Sequence, residues 1–414
     1  MAETVDVAVV GGGAAGLAAA ISAKEVGADR VVLLDRNSEL GGILPQCIHT
    51  GFGVHYFGEN LTGPEYISRF ISKAEELGIE FKLDTMVLRI NSGRRLLASS
   101  SLEGLFELDA RAVVLAMGCR ERTRGAVEIP GTRPAGIFTA GTAQRLMDIE
   151  GYMPGRKVVV LGSGDVGLIM ARRLSMEGAD VVAVVEVMPH PGGLPRNVVQ
   201  CLEDFGIPLL LRHAVTAIHG QERVSGVTVA EVGDGGIPVT GSEREVLCDT
   251  LVLSVGLIPE NELSEGAGVA LDPATGGPLV DERMHTSVEG VFACGNVVHV
   301  HDLVDHVTET GARAGQGATL FALNELPPPK RRIAVVPGSG IRYVVPQVIS
   351  GDGPVTLFLR VKSPVRNANL TFGDFAVPLR VARPAEIVAV KLNEEKVETL
   401  AHRREIPVCL EASS

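Results

Sequence analysis

Hydrophobic and polar positions along this chain follow one pattern that occurs twice. Residues 5–36 contain a run of β-branched residues, a Gly-rich turn, an Ala- and Leu-rich segment with helical spacing, and a second apolar run that ends in a carboxylate. Residues 156–187 have the same order without a gap, so that Asp35 corresponds to Glu186. Each copy predicts a strand, a tight turn, a helix and a second parallel strand, which is the building unit of a doubly wound α/β sheet.

Shorter apolar runs predict the elements around these two units. Runs 113–118 and 251–256 both end in glycine, and we expect them to be strands that complete the two sheets. Run 291–296 predicts a further strand end, followed by a helix over 305–324. The Pro-rich stretch 326–331 is predicted to be a linker.

The last part of the chain has a different pattern. Short β-rich runs follow the linker, at residues 332–336, 341–348, 354–361, 375–381 and 387–391. They predict a small β domain, for which a sandwich is one arrangement. The stretch from 330 to 414 carries 13 Lys and Arg against 8 Asp and Glu, whereas the whole chain has a net charge of -12. A basic β domain on an acidic body indicates either an interface with a partner or another domain, or a solvated appendage with incidental charge.

The first Gly-rich turn reads GGGAAG over residues 11–16. Gly11 permits the tight turn, Gly13 lets the backbone approach a pyrophosphate, and Gly16 lets the helix pack closely on the strand. The phosphates are expected at the helix N-terminus, where unpaired N–H groups favour anions. Asp35, at the end of the second strand, is expected to accept hydrogen bonds from ribose hydroxyls.

The second Gly-rich turn reads GSGDVG over residues 162–167, and Glu186 is its acidic residue. Strand, turn, helix and acid are in register in both copies, so we interpret each copy as a dinucleotide site. A carboxylate at Glu186 repels a 2′-phosphate, and no arginine follows it directly. The sequence therefore favours NAD over NADP at the second site.

Composition narrows the class of protein. Aromatic residues make up only 4% of the chain, Trp is absent and the net charge is negative, which argues against nucleic-acid binding. The six cysteines have no CxxC, zinc-ribbon or iron–sulfur spacing, so a reducing, cytoplasmic setting is expected. The first residues do not have the pattern of a signal peptide, and no apolar run has the length of a transmembrane helix.

The order of the motifs resembles that of the two-dinucleotide flavoprotein reductases. In that superfamily an FAD fingerprint, a nicotinamide fingerprint and a late CGD-like motif follow one another, and here the last motif reads CGN over 294–296. The resemblance covers roughly residues 1–328. The stretches GGILPQCIHTGFG, LTGPEY, GCRERTRG, GIFTAGTAQ and HVHDLVDHVTETG are similar to those of the NAD/FAD subunits of heteromeric dehydrogenases. Relatives there include subunits of sarcosine oxidase, hydrogen cyanide synthase, opine oxidase and dye-linked proline dehydrogenase, and the branch associated with glycerol-3-phosphate dehydrogenase looks most similar.

The motifs and the resemblance together imply a set of cofactor-binding residues. Those expected to bind FAD are Gly11, Gly13, Ala15, Gly16, Asp35, Arg36, Gly42, Ile43, Val87, Ala116, Gly118, Gly295 and Asn296. Those expected to bind NAD are Gly162, Gly164, Asp165, Val166, Gly167, Glu186 and Gly256. No metal site is expected, because the histidines and aspartates of 299–306 suit a flavin environment or a structural role better than a metal cage.

The expected fold class is α/β, with two Rossmann-like dinucleotide-binding domains and a small C-terminal β domain. The FAD domain is expected over 1–120 and 257–328, interrupted by the NAD domain over 121–256, and the β domain over 329–414. The resemblance implies an FAD-dependent NAD oxidoreductase subunit that exchanges electrons with a partner dehydrogenase, and its branch implies that this partner oxidises glycerol 3-phosphate. A substrate-oxidising flavoprotein and a small cysteine-rich protein are the expected partners, in a hetero-oligomer.

Two other functions stay open on the sequence. The chain lacks the cysteine pair of a disulfide reductase, so a stand-alone NADH oxidase or peroxidase would depend on Cys47 as a single redox thiol. The chain could also bind both nucleotides structurally, as an inert assembly subunit. Hydride transfer between nicotinamide and flavin needs positioning more than acid–base groups. The catalytic residues therefore stay unassigned, with Cys47, His301 and Asp302 as weak candidates.

Overall fold

A computed structural model describes residues 3–351 and 353–412. The chain divides into two compact units, of which the first combines Met1–Cys119 with Pro259–Ser414 and the second is Arg120–Ile258. The predicted outer ends of the first and last domains, at residues 1 and 414, lie outside the described residues.

Helices and strands are numbered in chain order. The helices are α1 Ala14–Val26, α2 Gly63–Glu76, α3 Arg124–Val127, α4 Ala140–Asp148, α5 Asp165–Met176, α6 Pro195–Cys201, α7 Glu262–Gly266, α8 Val304–Ala322 and α9 Glu394–Leu400. The first strands are β1 Glu3–Val10, β2 Val31–Leu34, β3 Thr50–Phe52, β4 Leu61–Thr62, β5 Glu80–Lys82, β6 Thr85–Ile90, β7 Arg95–Ser100, β8 Gly104–Leu115 and β9 Cys119–Glu121. The next are β10 Ile137–Thr139, β11 Lys157–Leu161, β12 Asp180–Glu186, β13 Leu209–Leu211, β14 His213–Gly220, β15 Val224–Glu231, β16 Arg244–Val246, β17 Thr250–Leu253 and β18 Leu257–Pro259. The last are β19 Val291–Ala293, β20 Ile333–Pro337, β21 Ile341–Val345, β22 Val348–Ile349, β23 Val355–Val361, β24 Val365–Phe372, β25 Phe375–Ala382, β26 Val388–Leu392 and β27 Glu405–Ala412.

The first unit is built on a parallel sheet in which β1 lies between β2 and β8, with β5 beyond β2 and β19 beside the end of β8. All four residues of β2 are buried, as expected of a strand covered on both faces. The first half of β8 pairs with β7, which pairs with β6 in an antiparallel extension that the sequence pattern did not predict.

Helices α1 and α8 pack against each other through very small residues. A Cβ atom at Gly311 would lie 2.3 Å from the carbonyl oxygen of Ala15, and one at Gly315 would lie 2.0 Å from that of Ala19. Only glycine fits at these two positions of α8, because a methyl group needs ordinary van der Waals distance. This close approach holds the start of α8 beside the first Gly-rich turn.

The C-terminal strands form two sheets around a core of their own. One sheet has the order β22-β20-β27-β24-β25 and the other β21-β23-β26. Ile333, Leu357 and Phe372 are among the buried residues of this core. The predicted small β domain is present, and it also contains β24, α9 and β27, which the sequence pattern did not predict.

The second unit is built on a parallel sheet of order β10-β17-β11-β12-β13. An antiparallel sheet of β14, β15 and β16 packs beside it, around residues such as Ile218 and Val227. The two Rossmann-like sheets and the C-terminal β domain agree with the fold class expected from the sequence.

Several predicted boundaries need correction. The strands expected to run to residues 118 and 256 end at Leu115 and Leu253, because the chain turns there toward the Gly-rich loop of the neighbouring strand. The helix expected over 305–324 is α8, Val304–Ala322, and the strand expected to reach 296 ends at Ala293. Across the described ranges 3–351 and 353–412, no helix combines the length and apolar character needed to span a membrane.

Candidate functional site

The first Gly-rich turn forms a cradle at the start of α1. Gly11 has a φ of 107°, and a Cβ there would lie 2.4 Å from the carbonyl oxygen of Ala116. A Cβ at Gly16 would lie 1.8 Å from the carbonyl oxygen of Gly11, so the turn closes only with glycine at both positions. Around Gly13, the N-cap of α1, the nearest atom to a Cβ is the Cα of Gly42 at 3.8 Å. The N-terminal N–H groups of α1 are thus approachable by a pyrophosphate.

Asp35 ties this turn together. Its Oδ2 accepts a hydrogen bond of 2.5 Å from the N–H of Gly12, and its Oδ1 accepts one of 2.8 Å from the N–H of Asn37. The side chain is buried, yet an ionised carboxylate has about four acceptor positions. Lone pairs therefore remain for ribose hydroxyls.

The second Gly-rich turn repeats this geometry. A Cβ at Gly162 would lie 2.0 Å from the carbonyl oxygen of Ser254, and one at Gly167 would lie 2.5 Å from that of Gly162. Gly164 has no atom within 4 Å of an added Cβ, so a phosphate has room there. The Oε2 of Glu186 accepts hydrogen bonds from the N–H of Ser163 at 2.9 Å and from its hydroxyl at 2.5 Å.

The correspondence between the two units extends beyond the Gly-rich turns and their acids. The N–H of Gly41 donates to the carbonyl oxygen of Gly12 at 2.9 Å, and the N–H of Gly192 donates to the hydroxyl of Ser163 at 2.8 Å. Gly41 and Gly192 are separated by the same offset as the two turns. Gly41 therefore lies against the first turn and Gly192 against the second. The repeat of this glycine at a constant offset is the signal in the sequence that predicts Gly192.

Asp165 distinguishes the second cradle from the first, which has Ala14 at this position. Its Oδ1 accepts hydrogen bonds from the N–H of Leu194 at 2.8 Å and from the side-chain amide of Asn197 at 2.6 Å. Asp165 thus holds the segment that follows Glu186 against the start of α5, which is a structural contact in addition to its predicted role in NAD binding.

The CGN motif adjoins the first cradle. A Cβ at Gly295 would lie 2.7 Å from the Cβ of Ala15. The Oδ1 of Asn296 accepts a hydrogen bond of 3.0 Å from the N–H of His301, and its amide lies 3.8 Å from the sulfur of Cys119. Gly295, Asn296, Ala15 and α8 are therefore brought together.

The other predicted cofactor residues lie in varied surroundings. Arg36 is exposed and forms an ion pair with Glu260 at 3.3 Å. Ala116 is buried beside Gly11, Ile43 is 59% exposed, and Gly118 has open space around it. Val87 lies in β6 among the buried core residues of the first unit.

In the second unit Val166 is exposed, and a Cβ at Gly256 would meet only the side chain of Arg122.

The three weak catalytic candidates also differ in their surroundings. Cys47 is buried, and its thiol donates to the carbonyl oxygen of Ile43 at 3.4 Å. Burial and the nearby His306 lower the pKa of His301 to about 3, so its imidazole is neutral at physiological pH. Asp302 accepts a hydrogen bond from the guanidinium of Arg360 and one of 2.5 Å from the N–H of Ile387.

Over residues 3–351 and 353–412, no three His, Cys, Asp or Glu side chains form a group that could hold a metal ion.

Two cradles of this geometry on two parallel sheets define a protein that binds two dinucleotides. Residues 5–316 match the family model described as pyridine nucleotide-disulphide oxidoreductase. The chain belongs to this family, whose members are oxidoreductases that bind FAD and NAD(P). The expected class of enzyme and the expected pair of cofactors are confirmed at this level.

Some similar proteins are named as reductases and others as subunits. An opine oxidase subunit of Agrobacterium tumefaciens is 25% identical over 72% of this chain and 62% of its own length. An NAD(P)H coenzyme A polysulfide/persulfide reductase of Pyrococcus horikoshii is 27% identical over 72% of this chain and 64% of its own. The chain thus spans a little under two thirds of these two proteins. The hydrogen cyanide synthase subunit HcnB of Pseudomonas aeruginosa is 27% identical over 80% of this chain and 72% of its own.

Solved structures agree on the fold. Thioredoxin reductase of T. acidophilum has a TM-score of 0.64 at 26% identity, covering 78% of this chain and 99% of its own. An NAD-dependent persulfide reductase of A. fulgidus has a TM-score of 0.61 at 20% identity, covering 96% of this chain and 76% of its own. The second likeness concerns the fold alone.

Proposed function

We propose that this chain is the FAD- and NAD-binding subunit of a heteromeric dehydrogenase. In this proposal it transfers electrons between NAD and a partner that oxidises a small substrate, glycerol 3-phosphate. The observation that carries the proposal is the pair of matched cradles with a buried Cys47 that has no cysteine near it in sequence. Since the sequence contains no CxxC pair, we assign the exit of the electrons to an external acceptor or partner in this proposal.

Each cradle has a distinct task in this proposal. When bound, FAD and NAD supply the redox chemistry themselves, by exchange of a hydride and electrons. Gly13 and the N-terminus of α1 bind the FAD pyrophosphate, and Asp35 binds its ribose. Gly164 and the N-terminus of α5 do the same for NAD. Asn296 and α8 complete the flavin side of the first unit.

The proposal includes a preference for NAD over NADP. Glu186 places a carboxylate near the position expected for the adenosine ribose, where a 2′-phosphate would be repelled. Glu186→Ser should reduce the preference for NADH in reduction of the bound flavin by roughly tenfold, equivalent to about 1.4 kcal/mol. Glu222→Gln, an exposed position of the same unit, is the matched control and should leave the preference unchanged. An unchanged preference in the Glu186 variant would remove this part of the proposal.

Relatives that are parts of larger enzymes support the existence of a partner. The opine oxidase and hydrogen cyanide synthase relatives are both named as subunits, which suggests a hetero-oligomer here too. Co-expression of this chain with a glycerol-3-phosphate-oxidising flavoprotein and a small cysteine-rich protein tests the substrate and the partners. The proposal predicts co-purification, together with a small cysteine-rich protein, and NADH formation from glycerol 3-phosphate. A chain that purifies alone under these conditions and reduces no NAD would contradict the assignment of the partner.

A further inference from the structure

The C-terminal β domain lies outside the 5–316 family match, yet one of its arginines enters the FAD-binding part of the first unit. Arg360, on β23, forms a partly buried ion pair with Asp302, with 13% and 20% of the two side chains exposed. The same guanidinium donates to the carbonyl oxygen of Val300 at 3.3 Å and to the hydroxyl of Tyr343 at 2.9 Å. Arginine suits this position because its planar group has five N–H donors in fixed directions.

A second contact from the β domain holds the same short segment. The N–H of Ile387 donates to Oδ2 of Asp302 at 2.5 Å, so both carboxylate oxygens of Asp302 have partners from the β domain. The ring of Phe358, on β23 with Arg360, lies 5.6 Å from the ring of His301. The segment 299–303, which leads into α8, is thereby fixed by residues that follow it by more than 50 positions.

This segment is continuous with the FAD cradle. His301 donates its N–H to Asn296, whose neighbour Gly295 lies against Ala15 of the first Gly-rich turn. Immediately after the segment, α8 begins at Val304 and directs its N-terminal dipole toward the same end of the sheet. Gly13, where an added Cβ would meet no atom closer than 3.8 Å, leaves room for the pyrophosphate of FAD.

The Arg360–Asp302 pair places two opposite charges beside the segment 299–303. Its neighbours His299 and His301 are neutral at physiological pH, since burial lowers the pKa of both imidazoles. Removing one member of this partly buried pair leaves the other as an uncompensated charge that water screens only in part. An uncompensated positive charge there favours addition of electrons to a nearby flavin, and an uncompensated negative charge opposes it.

We propose that Arg360 is a positioning residue of the flavin site: through Asp302 it fixes the segment 299–303 and sets the electrostatic field in which the flavin is reduced. The C-terminal β domain thereby becomes a part of the redox centre of its own chain. This inference rests on FAD occupying the first cradle, as in the proposed function.

The test compares the flavin reduction potential of the FAD-loaded protein in three variants, by equilibration with a reference dye. Arg360→Met leaves Asp302 negative and should lower the potential, whereas Asp302→Asn leaves Arg360 positive and should raise it. The double variant R360M/D302N should lie between the two, close to the wild type. Arg380→Met removes an exposed arginine from the same domain and serves as the control, with an unchanged potential.

Opposite shifts in the reduction potential of the two single variants distinguish this role from simple support of the fold. Loss of structural support would shift both potentials in the same direction. Equal potentials in all variants, or shifts of the same sign, would overturn the inference. If Arg360→Met fails to fold, the other two variants decide the outcome. Asp302→Asn keeps the shape of the side chain and should still raise the potential. The double variant keeps the net charge of the pair and should stay close to the wild type. A wild-type chain that binds no FAD would instead contradict the proposed function itself.

Discussion

Gly16 and Gly167 occupy corresponding places in the two cradles, and neither has room for a methyl group. The roles that the fingerprints assign to these glycines thus have a direct steric basis in the structure. Gly11 and Gly162 have positive φ angles as well, which adds a backbone requirement to the steric one. The sequence was informative at Gly16 and Gly167 because the requirement is local: the clashing carbonyl lies within five residues of each glycine.

Gly16→Ala should weaken the retention of FAD. Its Cβ would lie 1.8 Å from the carbonyl oxygen of Gly11, so the turn must open and the helix N-terminus moves away from the phosphate position. We expect FAD affinity to fall by roughly tenfold or more, measured by titration of the apoprotein with FAD. Gly266→Ala, at the end of α7 where an added Cβ meets nothing within 4 Å, is the control and should retain FAD. Equal affinities in the two variants would contradict the assignment of the first cradle.

His299 makes the stability of the first unit depend on pH. Its pKa is lowered well below 6.5 by burial and by the neighbouring His301 and Arg360, and neither ring nitrogen has a hydrogen-bond partner among the described residues. A group whose pKa is lower in the folded state binds more protons when unfolded, so its stabilising contribution is complete above the unfolded pKa of about 6.5 and is lost as pH falls.

The Tm of the wild type should therefore fall between neutral pH and about pH 5, and the Tm of His299→Leu should fall less over the same range. Thermal unfolding followed at several pH values measures the difference between the two proteins. His190, which is partly exposed in a loop of the second unit, provides the control variant His190→Leu. Parallel pH profiles for wild type and His299→Leu would show that this histidine does not contribute.

Cys47 separates the proposed function from a peroxidase. The thiol is buried and donates to a backbone carbonyl, which suits a packing residue better than an accessible nucleophile. Cys47→Ser should leave reduction of the flavin by NADH unchanged, as measured by stopped-flow absorbance. Loss of peroxide turnover in this variant, with normal turnover in the wild type, would support the alternative instead.

At the scale of elements, the helices α1 and α8 depend on glycines that approach another backbone. Gly315→Ala should lower the free energy of unfolding by about 1–3 kcal/mol, because its Cβ would lie 2.0 Å from the carbonyl oxygen of Ala19. Denaturant unfolding of the variant measures this loss. Gln316→Ala, one residue further along α8 and exposed, should have little effect or a slight stabilising one. A neutral Gly315 variant would mean that the helices can separate without cost.

Some elements could be predicted from the sequence and others could not. The repeated units predicted β1, α1, β2, β11, α5 and β12 because strand and helix alternate within one copy. The extension of β6 and β7, the sheet of β14 to β16, and the final β24, α9 and β27 were missed. Strand β27 pairs with β20 and β24, so its place depends on partners distant in sequence. Short β runs carry too little local pattern to reveal such partners.

At the scale of the whole chain, its two compact units are interleaved in sequence, since the first unit is formed by both ends of the chain. Motif order alone indicated this arrangement. The contact between Asp302 and Arg360 lies beyond the reach of sequence patterns, because 58 residues separate the two partners. For the C-terminal domain the sequence predicts an interface, with a partner or with another domain, or a solvated appendage, and the described contacts place Arg360 and Ile387 against Asp302 of the same chain.

One measurement tests the central claim, that FAD and NAD act together on this single chain. NADH is added anaerobically to the purified FAD-loaded protein while the flavin absorbance is recorded, with Glu186→Ser and Gly16→Ala measured in parallel. We predict that the wild-type flavin is reduced, that reduction needs a higher NADH concentration in the first variant, and that the second, which retains less FAD, has a smaller absorbance change. A wild-type flavin that stays oxidised at saturating NADH would contradict the claim.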